Sequence, residues 1–452
     1  MNQNLKKYKV TPSVVKADTD SVITIKCFDG LMKFYDDIEY EVTVIPQDFS
    51  DVPIDDELSL TGYNKSRKTQ LIKPVNGEIK VKYFFAGEQE WRIHISTKNY
   101  GKYQNPLYDK YAEFWGSLIC IPEVGIDLYV YSLKDDLYGK LPLRGDLHVH
   151  TSDSDGAESP EIVAAYYRKA GRDFIAITDH NVYHSADEFK DSLGFIKGFN
   201  IISGEEVHNG YAGFFHTVNI GGNYSVNDIY VNESERVKKE VKQLEKEITV
   251  PENLNKNEYL NRVWLYREIK KSGGYAIHAH PYWGIGYWHT STEMSKAMLK
   301  NGLCDAFEVL GGGGTRSCSD NLHVALYNDL RAEGCDIPIV GSTDSHSVFG
   351  KEYLCHSTLV FSDDGNVINA IDNRYSVAIE TKDGERARVY GKLRLVFYTH
   401  FLLENYYPLY DELCAISGKY IDDYVKGSLD AKQYIEKAED DIERFKNEFF
   451  DH

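Results

Sequence analysis

Two histidines stand two residues apart in His148-Val149-His150. On a strand, such a pair projects from one face, where two imidazoles can clamp a divalent metal ion. Fifteen histidines in 452 residues give roughly half a chance match to this spacing, so the pair alone decides little. Its surroundings say more. The motif continues as Thr151-Ser152-Asp153-Ser154-Asp155-Gly156, with carboxylates in a turn-prone stretch. The apolar run Phe174 to Thr178 leads into Asp179-His180-Asn181, and Ile201-Ile202-Ser203 into Gly204-Glu205-Glu206. Phe214 to Ile220 carries His216. Tyr275 to His278 leads to His280-Pro281, and Ile337 to Gly341 to Asp344-Ser345-His346. Capping, turn formation or a core histidine explains any one of these residues. Their joint placement at successive strand ends points to a metal or catalytic centre.

These ends meet only if the strands run side by side. Strands alternate with helices from Leu141 onward. Ser159 can cap a helix with Pro160 at its first position and Gly171 as its stop. Further helices are expected at 235–247, 256–271, 291–300 and 319–333. Repeated βα units imply an α/β class with a parallel sheet, either a barrel or an open doubly wound sheet. Residues 1–138 alternate apolar and polar positions, as in Val22-Ile23-Thr24-Ile25 and Tyr40-Glu41-Val42-Thr43-Val44, and read as a β-sandwich-like accessory domain. Residues 139–390 form the α/β domain, and 391–452 a helical C-terminal extension. In that extension Tyr434, Ala438, Ile442, Phe445 and Phe449 fall at helical spacing. The stripe is read as docked on the body of the protein or on a second subunit, which leaves a homo-oligomer open.

The net charge of −19 argues against a basic face for nucleic acid. Seven scattered cysteines without a C-x-x-C read as reduced thiols, not as a disulfide framework or thiolate zinc site. No apolar run is long enough to span a bilayer, and the opening residues lack an apolar leader core. The expected location is the cytoplasm, without a membrane partner and with a small-molecule substrate.

The segments HVHTSDSDG, TDHN, GEE, HAHP and STDSH resemble the successive motifs of the polymerase and histidinol phosphatase (PHP) superfamily of metal-dependent phosphoesterases. The likeness spans roughly 144–380. In layout the chain is similar to a branch with an N-terminal β-domain that includes carbamate-ester hydrolases. The resemblance implies a distorted, TIM-like (β/α)7 barrel holding two to three divalent ions of zinc, manganese or iron. It implies that His148, His150, Glu206 and Asp344 hold the first metal. Glu206 then bridges to a second, completed by His216 and His280, while Asp155, His180 and His346 hold a third. The family spacing of Gly-x-Glu favours Glu206 over Glu205, the following Pro281 favours His280 over His278, and the longer gap and the strand Phe214 to Ile220 favour His216 over His208.

The chemistry that follows is attack by metal-activated hydroxide on a phosphate ester of a small metabolite or nucleotide. Carboxyl- or carbamate-ester hydrolysis at the same cluster is the nearest alternative, and a non-catalytic metal-binding scaffold is another. Asp179 and His278 are candidate proton donors. Arg316, after the Gly311–Gly314 run, and Arg144 are candidate anion contacts. Tyr282, Trp283, Tyr287 and Trp288 form either an aromatic wall or part of the core.

Overall fold

The computed structural model describes residues 3–28, 34–48, 68–96, 125–208, 215–284, 289–312 and 319–450. The chain divides into two compact units. One comprises Met1–Gly139 with Phe397–Leu409 and Arg444–His452, the other Lys140–Val396 with Tyr410–Glu443.

The first unit holds β1 (Tyr8–Thr11), β2 (Val14–Lys16), β3 (Thr19–Cys27), β4 (Tyr40–Pro46), β5 (Lys68–Ile72), β6 (Glu78–Phe85), β7 (Gln89–Ser96) and β8 (Ile126–Leu133). They form a three-stranded sheet, β1-β3-β6, and a five-stranded sheet, β2-β8-β7-β4-β5. Strict alternation in β6 and β7 buries every second residue. Ile23 and Ile25 from one sheet thereby share a core with Val42, Val44 and Ile93 from the other.

The second unit carries β9 (Leu141–Val149), β10 (Phe174–Ile177), β11 (Asn200–Ile202), β12 (Gly204–His208), β13 (His216–Ile220), β14 (Tyr275–His278), β15 (Ala306–Leu310), β16 (Ile339–Gly341), β17 (His356–Ser362), β18 (Ser376–Glu380) and β19 (Arg388–Tyr390). Its helices begin with α1 (Pro160–Lys169), α2 (Val226–Asn232), α3 (Ser234–Glu247), α4 (Lys256–Lys271), α5 (Thr292–Lys300), α6 (Ser319–Ala332) and α7 (Val367–Asp372). Ser159 precedes α1 in extended backbone with Pro160 at the first turn, but its hydroxyl makes no capping bond.

The strands form two mixed sheets, β11-β10-β9-β17-β18-β19 and β12-β13-β14-β15-β16, and no continuous ladder closes a barrel among the described residues. Isolated parallel bridges, His180 to Glu206 and Val149 to Ser345, link the sheets. Leu147, Ala176, Ile220, Ile277, Ala306 and Val340 fill one core from both. Two departures from a parallel βα repeat matter for the site. The run 201–206 is not one strand. β11 ends at Ile202 and β12 begins in the other sheet, where Gly204 passes so close to β10 that a Cβ would lie 2.8 Å from the Ile177 carbonyl. β13 is antiparallel to both β12 and β14, because no helix separates it from β12. It therefore presents its first residue, His216, at the end where the parallel strands finish.

The remaining helices are α8 (Leu393–Asn405), α9 (Tyr407–Val425) and α10 (Lys432–Phe450). The α10 stripe is buried at Ala438, Ile442 and Phe449, but Ile435 takes the inward place and Tyr434 is exposed, stacked on Tyr420. Cys27, Cys304, Cys335, Cys355 and Cys414 are free thiols. Among the described residues no helix is long and apolar enough to cross a membrane.

Candidate metal centre

Glu206 is the hub of the centre and is fully buried. Its Oε2 lies 3.2 Å from Nε2 of His148, Nε2 of His150 and Nδ1 of His180. Its Oε1 lies 2.8 Å from His216 Nδ1 and 3.4 Å from His280 Nε2. Asp344 Oδ1 stands 2.9 Å from His150 Nε2 and 3.3 Å from His148 Nε2. At the outer side Asp155 faces His346 Nε2 at 3.4 Å, His150 Nδ1 at 3.6 Å and His180 Nε2 at 3.9 Å. All nine residues expected from the motifs thus lie in one connected constellation. Their donor atoms gather into sets within coordination reach of a common ion, among them His148, His150, Glu206 and Asp344, and His150, Asp155, His180 and His346.

Backbone geometry explains the convergence. His148 lies on β9 and His150 is the first residue beyond it, and the Nε2 atoms of both reach Glu206 Oε2. The Asp344 N–H donates to the His148 carbonyl at 3.0 Å, and the His150 N–H to the Ser345 carbonyl at 2.9 Å. Asp344 takes a positive φ of 52°, a conformation aspartate tolerates better than most residues. His346 Nδ1 lies 2.9 Å from the Asp344 carbonyl, which can fix its proton there and leave Nε2 free to coordinate.

The chemistry of the donor set tests its fit to metal. His148 Nε2, both ring nitrogens of His150, His180 Nδ1, His280 Nε2 and both Glu206 oxygens are buried without a hydrogen-bond partner. Orphaned polar atoms are costly, and converging imidazoles and carboxylates are what a divalent cation satisfies. The electrostatics agree. Burial opposes charge on His150, yet Asp344 and Glu206 push it up to about 10. Burial likewise opposes the Glu206 carboxylate, but His216 and His148 hold it well below the usual carboxylate range. The pocket attracts positive charge, and its all-nitrogen-and-oxygen set suits zinc, manganese or iron.

Neighbouring residues divide clearly. Glu205 points to the opposite face of β12, where it accepts from Asn219, Ser225, the N–H groups of Val226 and Asn227, and the Asn227 side chain. It holds the start of α2. His278 ends β14 with Nδ1 3.0 Å from the Tyr266 hydroxyl and Nε2 3.1 Å from Ser295 Oγ. Both nitrogens thus face the helix side. His280 lies beyond the strand, so the two do not share a face. Asp179 accepts from the Thr151 N–H and hydroxyl, from Ser154 and from His184 Nε2. Four donors hold it ionised as the anchor of the 151–154 turn. Arg144 is turned to Asp411 and to the Gly171 carbonyl. Arg316, Tyr287 and Trp288 lie outside the described residues. Tyr282 belongs to the core, stacked on His323 with its hydroxyl 2.8 Å from Thr292.

A cavity of about 520 Å³ opens on the cluster, and its lining includes Phe215, Pro281 and Trp283 together with Ser154, Asn181 and His208. His208 stands beside His180 and His216, with ring centroids 5.7 and 5.0 Å away. Two buried carboxylates escaped the motif reading. Asp146 accepts from the N–H groups of His148 and Thr343 and from the hydroxyls of Tyr167 and Thr343. Glu308 faces His148 Nδ1 at 3.1 Å. The available signal was a lone acid inside an apolar strand, as in Ala306-Phe307-Glu308-Val309-Leu310. A separate set, Asp320, His356 and Glu380, has Glu380 already neutralised by Lys382 and Arg388.

Solved structures similar to this chain include two named as metal-dependent phosphoesterases and an amidohydrolase. One is a Bacteroides vulgatus two-domain protein, whose name assigns it a PHP-like metal-dependent phosphoesterase by prediction. It is 21% identical, with 54% of this chain and 66% of that chain covered and a TM-score of 0.35. This chain therefore spans just under two thirds of that protein. A Bifidobacterium adolescentis protein, named as a candidate metal-dependent phosphoesterase, is 19% identical over 45% of this chain and 87% of its own, TM-score 0.32. An amidohydrolase from Chromobacterium violaceum, with sulfate bound and no metal, is 18% identical over 45% and 87%, TM-score 0.31. No protein-family model matches the chain, and no curated protein does. At these scores the chemistry of the site rests on its own residues.

Proposed function

We propose that this protein is a metal-dependent hydrolase, and that the ester it cleaves is a phosphate ester of a small molecule. The observation that carries the hydrolase reading is the set of buried, orphaned imidazole and carboxylate atoms around Glu206. Divalent metal bound there would supply Lewis acidity and water activated at neutral pH. His148, His150, Glu206 and Asp344 would hold one ion, with Glu206 reaching by its second oxygen toward His216 and His280. Asp155, His180 and His346 would hold another at the open side.

The remaining work falls to the cavity. Its volume of about 520 Å³ suits a metabolite-sized ligand rather than a polymer. Phe215, Pro281 and Trp283 offer an apolar face to the leaving group and exclude water from it. Asn181, Ser154 and His208 offer hydrogen bonds. The phosphate reading follows from the motif set HVHTSDSDG, TDHN and STDSH.

The test is a screen of protein reconstituted with manganese, zinc or iron against phosphate monoesters, diesters, aryl carboxyl esters and carbamates. Turnover of phosphate esters supports the proposal. Ester or carbamate turnover without phosphatase activity overturns the substrate class and keeps the hydrolase. Metal uptake with no turnover of any class would favour a scaffold.

A further inference from the structure

Glu308 sits in the middle of β15, and the reaction outlined above makes no use of it. The side chain is fully buried. Its two oxygens are divided between two histidines. Oε1 lies 3.1 Å from His148 Nδ1, and Oε2 accepts the backbone N–H of His280 at 3.0 Å. The far nitrogen of His148 faces Glu206 Oε2 and Asp344 Oδ1, whereas that of His280 faces Glu206 Oε1. One carboxylate therefore stands behind the His148 imidazole and holds the backbone of His280, and the rings of these two histidines serve opposite oxygens of the same hub.

Gly311, directly after β15, makes room for this arrangement. A Cβ on Gly311 would lie 2.4 Å from the Glu308 Cδ, so alanine there would displace the carboxylate. The first glycine of Gly311–Gly314, which has no phosphate-loop lysine beside it, is thereby given a role as a space beside Glu308.

We propose that Glu308 is a positioning residue that couples the two inner metal subsites, with Gly311 as the space that seats it. This rests on the metal reading of the centre. The carboxylate fixes the His148 proton on Nδ1 and turns the Nε2 lone pair to the cluster. It also holds the backbone from which the His280 ring projects. A carboxylate behind a ligating imidazole sets its tautomer and raises its basicity, and losing such a partner costs about 10–100-fold in metal affinity. Glutamine cannot do both tasks. Its amide nitrogen either meets the His280 N–H donor to donor or faces His148 Nδ1 and favours the tautomer that carries the proton on Nε2.

The experiment compares the full-length wild type, Glu308→Gln and Gly311→Ala. Zinc and manganese affinity is read by chelator competition, metal equivalents by elemental analysis, and folding by circular dichroism of the metal-free proteins. Wild type should bind at least two equivalents. Folded Glu308→Gln should bind with both inner sites weakened together by about 10–100-fold, and Gly311→Ala should weaken them in the same direction. A merely structural role would lower the melting temperature and leave the affinity of the folded protein unchanged. Wild-type affinity in folded Glu308→Gln overturns the proposal. Should that variant fail to fold, wild-type affinity in Gly311→Ala overturns it instead. A wild type that takes up no metal overturns the reading on which the proposal rests.

Discussion

Asp344 donates its backbone N–H to the carbonyl of His148 at 3.0 Å. Residues from the first and last motifs are thereby held by main-chain bonds before any side chain coordinates. Their side chains then face one another, with Asp344 Oδ1 3.3 Å from His148 Nε2. His148→Ala and Asp344→Ala should each keep the fold, lose at least one metal equivalent, and lower hydrolysis by more than about 100-fold. Elemental analysis alongside turnover checks this. Full activity in both variants would refute the site.

Glu205 and Glu206 occupy opposite faces of one strand, and isosteric substitutions should separate them. Glu205 accepts five hydrogen bonds that secure the start of α2. Glu205→Gln should cost about 2–4 kcal/mol in urea unfolding and leave metal content intact in the folded protein. Glu206→Gln should cost little metal-free stability and abolish uptake at the inner sites. The reverse pattern would mean that the two roles are exchanged.

Asp179 is bound by four donors on the 151–154 turn and on His184. Asp179→Ala should therefore destabilise the protein by about 2–4 kcal/mol, measured by denaturant unfolding. If Asp179→Asn retained wild-type stability and metal content but lost more than about 100-fold in kcat, Asp179 would be the proton donor after all.

Stability should also respond to pH through the first unit. Burial, with Glu404 beside it, pushes Glu90 up from 4.5 to about 7. Between those values the native state holds more protons than the unfolded state, so stability falls as pH rises through the window and levels off above it. The fall attributable to Glu90 is on the order of 1–3 kcal/mol. Glu90→Gln should flatten this slope in urea titrations at pH 5 and pH 8. An unchanged slope would exclude Glu90 as its source.

The sequence displays the candidate ligands more clearly than their supports. His148, His150, His180 and Asp344 are recognisable because strand ends converge whenever strands run side by side. Side-chain parity on β12 separates Glu206 from Glu205 only once the strand limits are known, and those were shifted by the break at Ser203. The same uncertainty left His278 as a rival to His280, since spacing of two implies one face only while the chain remains a strand. The reversal of β13 was not legible either, because a short apolar run carries no direction. Glu308 and Asp146 were passed over because each is a lone acid without a motif. Their importance comes from what lies behind the histidines, a relationship that exists only in three dimensions.

The central claim is that the atoms around Glu206 hold metal. Anomalous diffraction from crystals grown with manganese or zinc tests it most directly. The account predicts two or three peaks, one enclosed by His148, His150, Glu206 and Asp344 and another beside Asp155, His180 and His346. No anomalous density among these residues, in protein whose histidines are deprotonated at the crystal pH, would contradict it.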